Sequence, residues 1–190
     1  VVRVWAPGAH EVTVLPDGGE PAAPVSVEAG GIYEARHDSG SFADAGASTA
    51  TRPGAPRYRV RVDGNEREDP YRFPPVRADA DFQRLSRPDG RVHEILGAHA
   101  IRHEGVDGTV FTVWAPGARA VSVVGSFNGW RATAHPLRAR GSTGAWELFL
   151  PGVGPGALYK YRIVPRGPGE VRLKSDPCGR AMQLRPDTAS

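Results

Sequence analysis

The sequence predicts an all-β chain folded as two tandem sandwich modules with a short packed connector. Three observations carry that expectation. Glycine (24) and proline (18) together exceed a fifth of the 190 residues, which favours many short strands joined by tight turns over long helices. Short segments alternate apolar and polar residues at the period of a half-buried strand. A six-residue string also occurs twice: Val4-Trp5-Ala6-Pro7-Gly8-Ala9 returns as Val113-Trp114-Ala115-Pro116-Gly117-Ala118, a shift of 109 residues.

The repeat extends beyond that string. The same shift carries Val12-Thr13-Val14 onto Val121-Ser122-Val123, and Tyr58-Arg59-Val60 is echoed by Tyr161-Arg162-Ile163. Asp69-Pro70-Tyr71 is echoed by Asp176-Pro177-Cys178, so the chain reads as two copies of one module. In the first copy, strands are expected at 2–5, 11–15, 32–36 and 58–62. In the second they are expected at 110–114, 120–125, 145–150, 158–164 and 171–174. Asp17-Gly18, Asp63-Gly64 and Asn128-Gly129 supply turn residues that accept positive φ. Several short strands per copy, with turn signals between them, suggest an immunoglobulin-like sandwich for each. Trp5 and Trp114, inside matching strand patterns, are expected in equivalent buried positions, and Trp146 in the core as well.

Between the copies the alternation lapses. The prolines of Asp69-Pro70-Tyr71-Arg72-Phe73-Pro74-Pro75 hold that stretch extended. Residues 79–86 and 92–96 then suit a turn or two of helix each, with Phe82, Leu85, Ile95 and Leu96 buried. The expected division is a first module at 1–75, a connector at 76–104 and a second module at 105–190. Residues 39–56, rich in Ser, Ala, Gly and Pro, read as a loop within the first module. Val1 falls inside the first strand pattern, so that module is expected to be clipped at its start.

Composition narrows the function classes. No run approaches the roughly 18 apolar residues of a membrane span. The net charge is +3 and the basic residues are dispersed, without the compact stripe that nucleic-acid binding needs. The single cysteine, Cys178, cannot form an internal disulfide, and no basic-then-apolar leader is present. Both favour a cytoplasmic setting.

Reactive constellations are not visible. His93, His99 and His103 would share a face only on a helix that Gly97 and Gly105 oppose, so they read as exposed connector histidines and no metal is expected. Cys178 follows a proline in a turn and lacks a partner for nucleophilic work. The glycine-rich 152–156 run is followed by a strand pattern instead of a helix, so it is a turn and not a phosphate cradle. Glu104, Asp107 and Glu147 are scattered without a pairing that general acid–base chemistry requires. No catalytic residue and no cofactor is assigned.

Three stretches carry a family likeness. They are Leu96-Gly97-Ala98-His99 leading into Phe111-Thr112-Val113-Trp114-Ala115-Pro116, then Gly125-Ser126-Phe127-Asn128-Gly129-Trp130, then Leu158-Tyr159-Lys160-Tyr161-Arg162. With Trp146-Glu147-Leu148 and Lys174-Ser175-Asp176-Pro177, they resemble the glycogen-binding-type module that precedes the catalytic barrel in the α-amylase superfamily. Their order, together with the Glu68-Asp69-Pro70-Tyr71-Arg72-Phe73-Pro74-Pro75 element, is most similar to bacterial glycogen branching enzymes. The resemblance implies a glucan-binding and positioning region, with glycogen or another α-1,4-glucan as ligand. It also implies a downstream (β/α)8 barrel that performs branching, with this chain inactive alone. The accessory region of a debranching or trehalose-forming hydrolase, and a stand-alone pair of carbohydrate-binding sandwiches, remain alternatives.

The resemblance implies that Trp130 stacks on glucose rings and Lys160 bonds sugar hydroxyls, with Asn128 on the same turn as the third candidate. Where related regulatory modules carry a second platform tryptophan, this chain has Leu173. A tryptophan beside a tight turn offers a flat partner for the C–H face of a pyranose. Burying roughly 60–100 Å² there contributes about 1.5–2.5 kcal/mol, partly offset by lost freedom on binding. Weak sites of this kind become useful through avidity on a polymer. Trp130 folded back onto the core, and Lys160 as a solvated charge, are the competing readings.

Overall fold

The computed structural model describes residues 2–18, 20–22, 25–28, 31–35, 57–83, 85, 91–184 and 187–190. Two compact units form, Val1–Pro74 and Pro75–Ser190. Both are β-sandwiches of antiparallel strands. The loop expected at 39–56 lies outside the described residues. No helix among the described residues is long and apolar enough to cross a membrane.

The first unit holds β1 (Val2–Trp5), β2 (Val12–Pro16), β3 (Val25–Glu28), β4 (Ile32–Ala35), β5 (Tyr58–Val62) and β6 (Asn65–Glu68). One sheet has the order β1-β4-β3 and the other β2-β5-β6. The alternation that predicted the strands is the alternation of burial. Val2 and Val4 of β1, Val12 and Val14 of β2, and Tyr58 and Val60 of β5 point inward and build the core with Ala6 and Ala35. β6 escaped sequence reading because Asn65-Glu66-Arg67-Glu68 has no apolar face. It is an edge strand held by the ladder to β5, with Glu66 facing Arg61 and Arg59.

The second unit holds α1 (Asp79–Gln83), β7 (Gly97–His103), β8 (Val106–Trp114), β9 (Ala118–Gly125), β10 (Arg138–Ala139), β11 (Ala145–Pro151), β12 (Tyr159–Pro165) and β13 (Arg172–Lys174). Its sheets run β10-β11-β8-β7 and β13-β12-β9. Apart from β7 and α1, each element has a counterpart in the first unit with the same neighbours, so the sequence repeat is a repeat of topology. Small features recur too. Ala6 donates to the Gly31 carbonyl and Ala115 to that of Gly144, both glycines having positive φ. A Cβ on Gly31 would come within 2.4 Å of Pro7, and one on Gly144 within 2.7 Å of Pro116. The Trp-Ala-Pro turn is thus braced by the glycine just before the neighbouring strand in each unit.

A second shared device fixes each unit's next-to-last strand to the proline turn that closes the unit. The Tyr58 hydroxyl donates to Asp69 Oδ2 (2.7 Å) while Asp69 Oδ1 accepts the Tyr71 amide (2.9 Å). In the other unit the Tyr159 and Tyr161 hydroxyls donate to Asp176 Oδ2 (2.5 and 3.4 Å), and Asp176 Oδ1 accepts the Cys178 amide (2.8 Å). Burial first, then the Asp176 carboxylate, push both phenols far above the usual tyrosine range, so they stay protonated donors.

The segment expected as a connector to residue 104 differs from expectation. Residues 97–103 form β7, paired with β8 along its whole length. The preceding residues cover the outer face of the sheet: Phe82, Ile95 and Leu85 pack on Ala145 of β11. Glu147 of the same face is buried and accepts the amides of Val76 (2.9 Å) and Arg77 (3.2 Å). That dry site raises its carboxyl above the usual value despite those bonds. The helical turns at 79–83 and 92–94 form as short elements.

One stretch joins the two sheets of the second unit. Val123 donates to the His135 carbonyl and Leu137 to that of Val121, so 135–137 runs along β9. The next two residues are β10 and pair with Glu147 and Trp146 of β11. The first unit repeats the move: Ala22 bridges Val14 of β2, and Val25–Glu28 pairs with β4.

Candidate functional site

β9 ends at Gly125, where the chain turns out of the sheet through Ser126, Phe127 and Asn128 in a single 3-10 turn. Only glycine fits at 125, because a Cβ there would sit 2.3 Å from the Leu158 carbonyl and 2.7 Å from the Phe127 ring. Gly129 and Trp130 both take left-handed φ near +59°, and the Trp130 amide returns to the Gly125 carbonyl at 3.0 Å. Left-handed backbone costs a non-glycine residue about 1–2 kcal/mol. A bulky aromatic held there, with 44% of its surface exposed, is an outlier of the sort that gathers at ligand sites. Trp130 is therefore not folded onto the core.

Asn128 belongs to the framework of this turn. Its side chain is 5% exposed and both ends are committed to the chain. Oδ1 accepts the Gly125 amide (2.9 Å), while Nδ2 donates to the Val123 carbonyl (3.0 Å) and to His135 Nδ1 (2.9 Å). An amide so engaged closes the turn that carries Trp130. Beneath it runs a ladder of rings. His135 lies 6.0 Å from Phe127, Phe127 5.6 Å from Phe111, Phe111 5.0 Å from Tyr159, and Tyr159 5.7 Å from Tyr161. The turn is thereby fastened to the core and to the Asp176 latch.

Lys160 stands next to Tyr159 on β12, with its cross-strand partner Val124 one residue before Gly125. The backbone anchor of Trp130 pairs with Tyr159 itself. The two candidates accordingly lie at the same end of one sheet, at neighbouring register positions. Lys160 is half-buried and its ammonium donates to Thr188 Oγ1 at 2.7 Å, so it is a held charge with donors to spare. Leu173, across from Arg162 on the same face, is exposed at 58% and supplies apolar surface without a ring.

Two sequence expectations are corrected. Trp114 is 53% exposed, not buried, although Trp146 is in the core with its indole N–H on the Ala115 carbonyl. Trp114 ends its strand opposite Ala145, too small to cover an indole, whereas half-buried Trp5 faces Ile32. His99 and His103 are not free connector side chains. They sit half-buried on β7, His99 donating to the Leu96 carbonyl (3.0 Å) and His103 meeting Phe149 edge-on at 5.2 Å. Burial lowers the His99 pKa, the hydrogen bond to Leu96 opposing it. No group of three or more potential metal ligands gathers among the described residues. Burial raises the Cys178 thiol, which keeps it in its poorly nucleophilic form.

Residues 95–179 of this sandwich match the family described as carbohydrate-binding module 48 (isoamylase N-terminal domain). Over its entire length the chain is 46% identical, across 196 residues, to the 1,4-alpha-glucan branching enzyme GlgB of Rubrobacter xylanophilus, covering 25% of that protein. Its counterpart in Methylococcus capsulatus is 50% identical over 125 residues, 64% of this chain and 17% of the relative. The chain is thus similar to branching enzymes along its whole length and spans about a quarter of the length of these relatives. A solved pullulanase from Bacillus acidopullulyticus superposes with a TM-score of 0.39 at 16% identity over 93% of this chain and 22% of its own, a likeness too slight to carry weight.

Proposed function

We propose that the chain is the non-catalytic, N-terminal α-glucan-binding and positioning region of a cytoplasmic 1,4-α-glucan branching enzyme. The observation that carries this reading is Trp130, an exposed indole fixed in left-handed backbone at the sheet end that also presents Lys160. Its face takes a glucose ring, Lys160 bonds hydroxyls, and Asn128 holds the turn. A retaining transfer needs two carboxylates about 5–5.5 Å apart across the scissile bond. The buried acids described here, Asp69, Glu147 and Asp176, are instead occupied by backbone amides and tyrosines. Chemistry is assigned to a (β/α)8 barrel elsewhere in the parent protein, and this region raises the local concentration of the glucan beside it.

Affinity electrophoresis in glycogen-containing gels tests the binding half. The 190-residue chain should be retarded, and Trp130→Ala should migrate faster while remaining folded. Equal retardation of both would remove Trp130 from the site. Iodine staining of amylose tests the other half. Colour should persist with this chain alone and fade once the barrel is joined to it, and α-1,6 branches made by the isolated chain would place catalysis here.

A further inference from the structure

The second sandwich carries a separate groove at the β12–β13 end of its sheet. The loop after β12 folds against the 115–118 turn, where Arg166 donates from its amide to Gly117 O (3.0 Å) and from Nε to Ala118 O (3.1 Å). Between them opens a cavity of about 350 Å³ whose carbon surface comes from Ile163, Pro165 and Pro168. Glu170, Arg172 and Lys174 line the same cavity and are exposed, and their side chains enter no ion pair or hydrogen bond among the described residues. Lys160, the other lysine of the chain, is by contrast tied to Thr188. Two unused cationic donors and one unused carboxylate acceptor thus converge on a small apolar floor.

We propose that this groove is a second α-glucan subsite, taking a short linear segment independently of Trp130. The proposal rests on the glucan-binding reading above. Its chemistry is that of a neutral polyhydroxylated ring. Such a ring lays a C–H face on Ile163, Pro165 and Pro168. Its hydroxyls accept from Arg172 and Lys174 and donate to Glu170. A fixed anion would instead meet the Glu170 carboxylate and an apolar floor. The volume lies at the small end of the roughly 300–1,000 Å³ usual for small-ligand sites, which suits a chain end or short branch. Two weak subsites on one rigid sheet would act together on a branched polymer.

Maltoheptaose titrated into the 190-residue chain, followed by amide NMR, reads each subsite separately. Amides of 163–174 should shift in wild type and in Trp130→Ala alike. The exposed pair Arg172→Ala/Lys174→Ala should weaken those shifts about fivefold to tenfold while leaving the response around Trp130 intact. In glycogen gels, combining these substitutions with Trp130→Ala should reduce retardation below that of either alone. Silent 163–174 amides, or shifts that survive Arg172→Ala/Lys174→Ala, overturn the proposal. So does a stronger response of these amides to inorganic phosphate, or protection of the groove by concentration-dependent self-association. Shifts in the groove with none at Trp130 would sink the Trp130 reading and leave this one standing.

Discussion

Asn128→Ala separates a turn-builder from a sugar ligand. The substitution strips the Gly125 amide and the Val123 carbonyl of their side-chain partner and frees His135 Nδ1. An unsatisfied buried polar group costs about 1–3 kcal/mol. With two backbone groups affected at a site 5% exposed, the loss should be about 2–4 kcal/mol, against a typical domain stability of about 5–15 kcal/mol. Urea unfolding of the 190-residue chain should show a lower midpoint with an unchanged slope. Glycogen retention should fall as well, because the released turn no longer aims Trp130. Full stability with lost retention would refute this reasoning, since the amide would then be touching sugar.

Trp130→Gly removes the ring and the left-handed strain together, so unfolding should be unchanged or harder by up to about 1 kcal/mol while glycogen retention drops; a clear loss of stability would make the ring a packing element. Asp176→Ala leaves the Tyr159 hydroxyl without its acceptor and Tyr161 with only a 3.5 Å contact to the Thr112 carbonyl. It should cost about 2–4 kcal/mol by the same unfolding measurement, and a cost below about 0.5 kcal/mol would show the latch to be idle. Glu147 has a native pKa above its ordinary 4.5, so the folded state holds that proton more tightly than the unfolded chain. Its stabilising share is complete below about 4.5 and is lost as pH rises from there through the raised native value. Glu147→Gln should therefore gain on wild type as pH climbs through that window, and parallel midpoint-versus-pH curves would contradict the burial effect.

The strands were legible where one face is apolar and the other polar, as in Val2–Trp5 and Tyr58–Val62. They were not legible where the ladder alone holds the strand, as in charged β6. The duplication could be read from identical residues, but identical residues did not guarantee identical burial. Trp5 and Trp114 share their local turn and part company over the residue opposite, Ile32 or Ala145, which sequence order does not announce. Trp130 and Lys160 were singled out chiefly through family likeness. Nothing in the Asn128-Gly129 dipeptide foretold that the asparagine would turn inward, because its partners Val123 and His135 become neighbours only after β9 has formed. The groove near Arg172 gave no signal, being assembled from a turn and a hairpin some fifty residues apart.

The stretch from His135 to Ala139 belongs to both sheets of the second sandwich. Two layers stitched by a common thread cannot hinge apart like the covers of a book, since any opening must first unpick that thread from one side. A load applied at the Trp130 turn is therefore shared by both layers at once, and the module resists opening as one piece instead of yielding layer by layer.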